Sequence, residues 1–104
     1  MELRKMLRVI IRLPGGKKSK GSHSLVKEVL KLCKEEGIIG ATVIQSIYGY
    51  GDKDYEISIL RGIGDLPQVI EIVDEPIVIR TLLPKLKELI ESTGLITIDE
   101  VYSI

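Results

Sequence analysis

The chain has 104 residues, with 15 Lys and Arg against 15 Asp and Glu, and 44% of its residues are hydrophobic. This length suits one domain with a single core, so we expect residues 1–104 to form one domain. The single cysteine excludes a disulfide within the chain, and no apolar run approaches the roughly 20 residues that a membrane span needs. These features predict a cytoplasmic protein.

The charge is unevenly distributed along the chain. Residues 1–34 contain ten basic and two acidic residues, whereas residues 35–104 contain five basic and thirteen acidic residues. Either the two halves interleave and neutralise each other, or the N-terminal part forms an anion-attracting face. The chain also lacks Asn, Phe and Trp and is rich in Ile, Lys and Glu, a bias that is typical of proteins from hot environments.

The first third of the chain predicts a strand, a loop and a helix. Residues 7–13 alternate between the two faces of a strand with a period of two. Residues 14–24 form a polar, glycine-rich segment that ends in candidate helix caps. In the following helix one face is apolar, and Gly37 is predicted to end it. That face contains Val26, Val29, Leu30 and Cys33.

The remaining elements follow in a regular order. Residues 40–48 predict a second strand, and residues 55–61 predict a short strand or hairpin arm. Residues 66–73 are almost continuously apolar, which predicts an internal strand that begins near Pro67. A helix then begins at Pro76 and continues through Pro84 with a kink until Gly94. Residues 95–104 predict the last strand.

This βαββαβ order predicts an α+β, ferredoxin-like fold, in which two helices cover one face of a four-stranded antiparallel sheet. The opposite face would carry aliphatic side chains such as Ile10 and Ile44, or their sequence neighbours. Because exposed apolar surface of this extent is usually covered, we expect self-association across that face.

The basic loop mimics a phosphate-binding motif. Residues 16–22 resemble the GxxxxGK[ST] pattern, but Ser22 stands where that pattern requires a lysine. The loop is therefore interpreted as a basic segment near an anionic ligand or partner, or as a solvated connection. No residues have the spacing of metal ligands, and Cys33 is expected in the core.

Two functions that are common on this fold lack their residues here. An acylphosphatase-type enzyme orients water with an asparagine, and this chain has none. Binding of single-stranded RNA needs aromatic side chains on the central strands, but the four tyrosines lie outside the first and third strands. Nucleic acid is therefore not the expected partner.

Several segments together resemble the PII signal-transduction proteins. The GATV segment at 40–43, the GYG turn at 49–51 and LPQVIEIVD at 66–74 correspond to PII segments in the right order. The closest resemblance is to a PII-related group, the domain of unknown function 190 family. Its further motifs are Leu83-Pro84, residues 94–97 and Glu100-Val101, so the match runs from about residue 24 to the end.

The resemblance implies a regulatory homotrimer that performs no catalysis. Proteins similar to this one bind adenine nucleotides or other small effectors in clefts between subunits. The resemblance therefore implies a small effector, for which ATP, ADP and AMP are candidates, and no certain cofactor. A flexible loop after the second strand would then dock on a partner protein, such as a membrane transporter or an enzyme.

The same resemblance assigns site residues. Thr42 and the GYG turn would line the cleft, where glycine lets backbone N–H groups approach a ligand, and Glu71 would lie near the base. Gln68 stands where PII proteins carry a ligand-binding lysine, and three loop lysines would supply positive charge. The implied set is Thr42, Gly49, Tyr50, Gly51, Gln68, Glu71, Lys17, Lys18 and Lys20.

Two alternatives remain open. The chain could be a small enzyme that hydrolyses a phosphoester or acylphosphate with the loop lysines and the carboxylates of Asp52, Asp54 or Glu56. It could also bind a protein or nucleic acid without any small ligand. A nucleotide retained on purification would favour the regulator, and phosphoester turnover would favour the enzyme.

Overall fold

The computed structural model describes residues 1–14, 22–46, 48–50, 54–56, 67–90 and 92–104. They form two helices and six strands. The elements are β1 (Arg4–Leu13), α1 (Ser22–Glu35), β2 (Ala41–Gln45), β3 (Tyr48–Tyr50), β4 (Asp54–Glu56), β5 (Gln68–Asp74), α2 (Pro76–Ile90) and β6 (Leu95–Ser103).

Four of the strands form one antiparallel sheet in the order β2-β5-β1-β6. In its register Val9 lies between Ile72 of β5 and Ile98 of β6. In the described part of the chain β2 pairs only with β5, so β2 and β6 are the edges of this sheet. The α+β, ferredoxin-like arrangement predicted from the sequence is confirmed, as is the internal position of the strand after Pro67.

The helices cover one face of the sheet, and the core lies between them. Alternate residues of β1 and β5 are buried there, and they pack with the apolar stripes of both helices, as a period of two predicts. The fully buried members of this core include Val9, Ile11, Ile70, Ile72, Val29, Ile79, Leu82 and Leu86. Cys33 is also in this core, as predicted.

The opposite face of the sheet, called the open face below, carries the remaining alternate residues. The register of the four strands places these side chains on it: Arg4, Met6, Arg8, Ile10 and Arg12 of β1; Thr42 and Ile44 of β2; Val69, Glu71 and Val73 of β5; Leu95, Thr97, Asp99, Val101 and Ser103 of β6. Several are apolar and exposed, notably Ile44 at 50% and Leu95 at 57%. The prediction that Ile10 and Ile44 share this face is confirmed.

The end of α1 and the start of α2 lie where the sequence predicts them. The backbone of Gly37 has a φ of 77°, a region that favours glycine. The N–H groups of Gly37 and Ile38 donate to the carbonyls of Lys34 and Cys33, which is the Schellman pattern at a helix end. Pro76 is the first residue of α2, and the helix continues through Pro84 as one element.

The second strand is shorter than predicted. It ends at Gln45 rather than residue 48, because Pro67 has no N–H group with which β5 could extend the ladder. Residues 48–50 instead pair with residues 54–56 in a separate two-stranded hairpin. The strand predicted over residues 66–73 is observed over Gln68–Asp74, and Leu66 lies outside the described residues.

Gly94 has a packing role at the junction of α2 and β6. A Cβ atom at this position would lie 2.6 Å from the backbone oxygen of Arg12 and 2.9 Å from Cδ2 of Leu13. Helix α2 itself ends earlier than predicted, at Ile90. Close approach to β1, rather than helix termination, therefore explains the glycine.

Candidate functional site

Thr42 and Glu71 are neighbours on the open face. They are register partners on β2 and β5, and both belong to the set of predicted site residues. Thr42 is exposed on an edge strand, and the Glu71 side chain is 37% exposed. The structure therefore brings together a hydroxyl and a carboxylate near one edge of the sheet.

Arg8 connects Glu71 to the other edge strand. Its Nε and Nη2 atoms donate to the two carboxylate oxygens of Asp99 over 3.0 and 2.7 Å. Its Nη1 atom lies 3.9 Å from Oε2 of Glu71. The hydrogen bonds with Asp99 raise the pKa of Arg8, and those with Arg8 lower the pKa of Asp99. Both groups are thus held charged on the open face.

Gln68 lies on the other face of the sheet. Its register partners are Leu13 and Gln45, which point toward the helices. Its Oε1 atom is buried and accepts no hydrogen bond from any residue that the structure describes. Because positions 68 and 71 are an odd number of residues apart on one strand, the structure does not bring Gln68 and Glu71 into one cluster.

A group of hydrogen bonds closes the base of the segment between β2 and β5. The carbonyl oxygen of Pro67 accepts bonds from the Ser46 N–H (3.2 Å), the Ser46 hydroxyl (2.6 Å) and Nε2 of Gln45 (3.1 Å). Gln45 also donates to the Ser46 carbonyl. We call Gln45, Ser46 and Pro67 the loop neck.

The basic loop of residues 16–22 follows β1 in the sequence, and β1 ends at the same end of the sheet as the loop neck. Leu13, the last residue of β1, pairs with Gln68, the residue directly after Pro67. Lys17, Lys18, Lys20 and Gly51 lie outside the described residues. Gly49 and Tyr50 lie in β3, where Gly49 pairs with Tyr55.

Sequence reasoning did not identify Arg8, Asp99 or Asp74. The Asp74 side chain is buried, and its carboxylate accepts hydrogen bonds from the N–H groups of Ile39 and Glu75 over 3.2 and 2.7 Å. Charged residues at alternate positions of an apolar strand were the available signal for Arg8. Its partner Asp99 could not be predicted from the sequence, because the two residues are 91 positions apart and meet only through the register of β1 and β6.

The described residues contain neither a metal-binding cluster nor a membrane-spanning helix. No group of three His, Cys, Asp or Glu side chains in this part of the chain is arranged to hold a metal ion. Neither α1 nor α2 has the length and apolar character of a membrane-spanning helix.

Comparison with known sequences identifies relatives. The model of the DUF190 family, described as "Uncharacterized ACR", matches residues 5–103. A UPF0166 protein of Methanocaldococcus jannaschii is 40% identical over 99 residues, covering 94% of this chain and 89% of that protein. A UPF0166 protein of Aquifex aeolicus is 38% identical over 79 residues, covering 72% of this chain and 71% of its own length.

Comparison with solved structures identifies the fold. CPII from Thiomonas intermedia K12, a nitrogen regulatory PII-like protein bound to ADP, AMP and bicarbonate, matches with a TM-score of 0.76 and 18% identity. The match covers 98% of this chain and 91% of CPII. The B. subtilis GlnK–ATP complex matches with a TM-score of 0.55 and 17% identity, covering 93% of this chain and 82% of GlnK. At these identities the likeness is one of fold.

Proposed function

Because this chain belongs to the DUF190 family and has the fold of PII-like proteins, we propose that it is a regulatory protein that binds an adenine nucleotide and performs no catalysis. The proposed effector is ATP, ADP or AMP. CPII bound to ADP and AMP, and GlnK bound to ATP, support this choice. The proposal places the protein in the cytoplasm.

The proposed assembly is a homotrimer in which three open faces point inward. The exposed aliphatic side chains on this face, including Ile44 and Leu95, support it, since monomers rarely leave such patches uncovered. Burial of apolar area is the main favourable term in protein association. The nucleotide would then occupy clefts where an edge strand of one subunit meets the next subunit.

The observation that carries the proposed site is the Thr42–Glu71 pair at the β2 edge. The Thr42 hydroxyl can donate or accept a hydrogen bond, and the Glu71 carboxylate can accept one from a ribose hydroxyl or a base amine. The backbone of Gly49, Tyr50 and Gly51 is proposed to line the same cleft.

Gln68, on the helix side of the sheet, and the loop lysines are proposed as further ligand contacts, separate from the Thr42–Glu71 pair. The buried Oε1 of Gln68 is an acceptor without a donor among the described residues, and a ligand group or a rearranged loop would satisfy it. The lysines at 17, 18 and 20 are proposed to neutralise the phosphates, a role for which cationic side chains are suited.

Calorimetry with ATP, ADP and AMP tests the site. We expect Thr42→Val to weaken binding about tenfold, the effect of losing one hydrogen bond of about 1.4 kcal/mol. Thr97→Val is the matched control, because Thr97 lies in the same row of the open face but on the opposite edge strand. A Lys17/Lys18/Lys20→Ala variant should weaken ATP more than AMP.

Specific results would contradict this proposal. Unchanged affinity in Thr42→Val would remove Thr42 from the site, and unchanged affinity in the triple variant would remove the loop. Hydrolysis of the added nucleotide would instead favour the phosphoester-hydrolysing enzyme. If no adenine nucleotide binds, the chain is better explained as a module that binds a protein or nucleic acid alone.

We also propose that the segment between Ser46 and Pro67 contacts the partner protein. The loop neck joins this segment directly to β2 and β5, which carry Thr42 and Glu71. A nucleotide bound at that pair would thus lie three to four residues from the point where the segment leaves the sheet. The partner would be a membrane transporter or an enzyme.

A further inference from the structure

Among the described residues, three arginines and two acids lie on the open face, and a third acid, Glu75, follows β5. Three arginines come from β1, and the three acids come from β5, the residue after it and β6: Arg4, Arg8, Arg12, Glu71, Glu75 and Asp99. Arg4 pairs with Glu75 at 3.6 Å, and Arg8 holds both oxygens of Asp99. After these contacts are made, Arg12 and Glu71 can still form a close ion pair with another group.

Arg12 is the first of these charges. It forms no ion pair with any residue that the structure describes, and its register partners are the apolar Val69 and Leu95. Ile44 continues the same row beyond Val69. A cation in the middle of an apolar row is well hydrated while the face is open. Covering the face without a partner for it would leave a buried, unpaired charge, which is strongly destabilising.

Glu71 is the second charged residue that can form a further ion pair. Its contact with Arg8 is 3.9 Å long, whereas the Asp99 contact of the same guanidinium is 2.7 Å. Arg8 therefore interacts mainly with Asp99, and the oxygens of the Glu71 carboxylate can still accept hydrogen bonds on the open face. Within one chain Glu71 and Arg12 do not form an ion pair.

We infer that Arg12 of one copy pairs with Glu71 of a neighbouring copy when the open faces assemble. This inference rests on the proposed trimer and assigns the charged contact that orients its subunits. The contact is heterologous, since each copy donates one Arg12 and one Glu71, and such contacts close into a ring under threefold symmetry. Arginine suits it because its planar guanidinium can bind a carboxylate through two hydrogen bonds.

Charge reversal tests the pairing, with molar mass measured by light scattering in the absence of nucleotide. Arg12→Glu places two acids opposite each other and should weaken assembly about tenfold or more. The double variant Arg12→Glu/Glu71→Arg should restore assembly. Arg12→Glu/Glu88→Arg is the control, because it restores the net charge at an exposed position of α2, on the helix layer. It should remain as weakly assembled as Arg12→Glu.

The outcomes separate this inference from the proposals on which it rests. Circular dichroism of each variant establishes that the fold is intact. Assembly of Arg12→Glu equal to that of the unmodified chain, or equal rescue by Glu88→Arg, would overturn the pairing alone. An unmodified chain that stays monomeric would overturn the trimer together with the pairing. Nucleotide affinity, measured separately, tests the ligand.

Discussion

At the scale of single residues, Gln68 and Glu71 differ in how accessible their side-chain oxygens are to a ligand. The Glu71 carboxylate is partly exposed and already has a cationic neighbour, so it is available to a ligand or another subunit. The Gln68 Oε1 atom is buried without a donor among the described residues, although burying an unpaired acceptor costs about 1–3 kcal/mol. Such a cost is typical of functional positions, where residues are selected for a task other than stability.

Substitution of Gln68 and of its register partner Gln45 should have opposite effects on stability. Gln68→Met keeps the approximate shape and removes the unpaired acceptor, so we expect the free energy of unfolding to rise by about 1 kcal/mol. Gln45→Met removes the hydrogen bonds to the Ser46 and Pro67 carbonyls and should lower the free energy of unfolding by about 1 kcal/mol. Urea unfolding of both variants without nucleotide gives the comparison. A loss of stability in Gln68→Met would show that Oε1 is satisfied in solution.

At the scale of elements, α2 shows how packing overrides local preference. Pro84 lies inside the helix and cannot donate a hydrogen bond to the carbonyl of Arg80. The helix nevertheless continues from Pro76 to Ile90, because Ile79, Leu82, Leu86 and Ile90 on one side of it are buried. The apolar stripe therefore provides more stabilisation than the proline removes.

The two prolines of α2 should respond in opposite ways to alanine. Pro84 is exposed, so Pro84→Ala restores a backbone hydrogen bond without a cavity and should raise the free energy of unfolding by about 2 kcal/mol. Pro76 is the first helical residue, where proline is favourable, so Pro76→Ala should lower it by about 0.5 kcal/mol. Thermal and urea unfolding check both values. A Pro84→Ala variant less stable than the original chain would mean that the proline serves packing.

At the scale of the whole molecule, the two sides of the sheet have different roles. The helix side holds the core, and the open face leaves aliphatic side chains and paired charges at the surface. Aliphatic side chains are also exposed away from the open face, for example Ile77 on α2, which is 72% exposed. Exposure alone therefore does not define the interface. The open face differs in that both helices, and the core, lie on the other side of the sheet.

Ile44 and Ile77 provide a matched test of the proposed trimer. The purified chain is expected to have about three times the 11.6 kDa mass of one copy. Ile44→Lys should dissociate it, because a lysine at that position would be buried unpaired in the seam. Ile77→Lys should leave the mass unchanged. Sedimentation velocity over a range of concentrations measures both, and a monomer in the unmodified chain, or dissociation by both substitutions, would contradict the proposed interface.

Much of the fold could be predicted from local sequence alone. The period of two in residues 7–13 determined which side chains of β1 are buried, and Gly37 and Pro76 marked helix ends because their backbone requirements are local. The strand limits near residues 46–67 were less accurate. Where a strand stops depends on whether its neighbour can still pair, and here the missing N–H of Pro67 limits both β2 and β5.

Some features of the candidate site could likewise be predicted from the sequence, whereas others depend on the tertiary structure. Composition and motifs by themselves determined the element order, the apolar core and the family resemblance, since each is encoded in neighbouring residues. Only the tertiary structure decided that Arg8 holds Asp99 across 91 positions, that Thr42 faces Glu71, and that Gln68 lies on the opposite face. The physical reason is strand register: a shift of one residue moves every side chain to the other face, and long-range pairing sets that register.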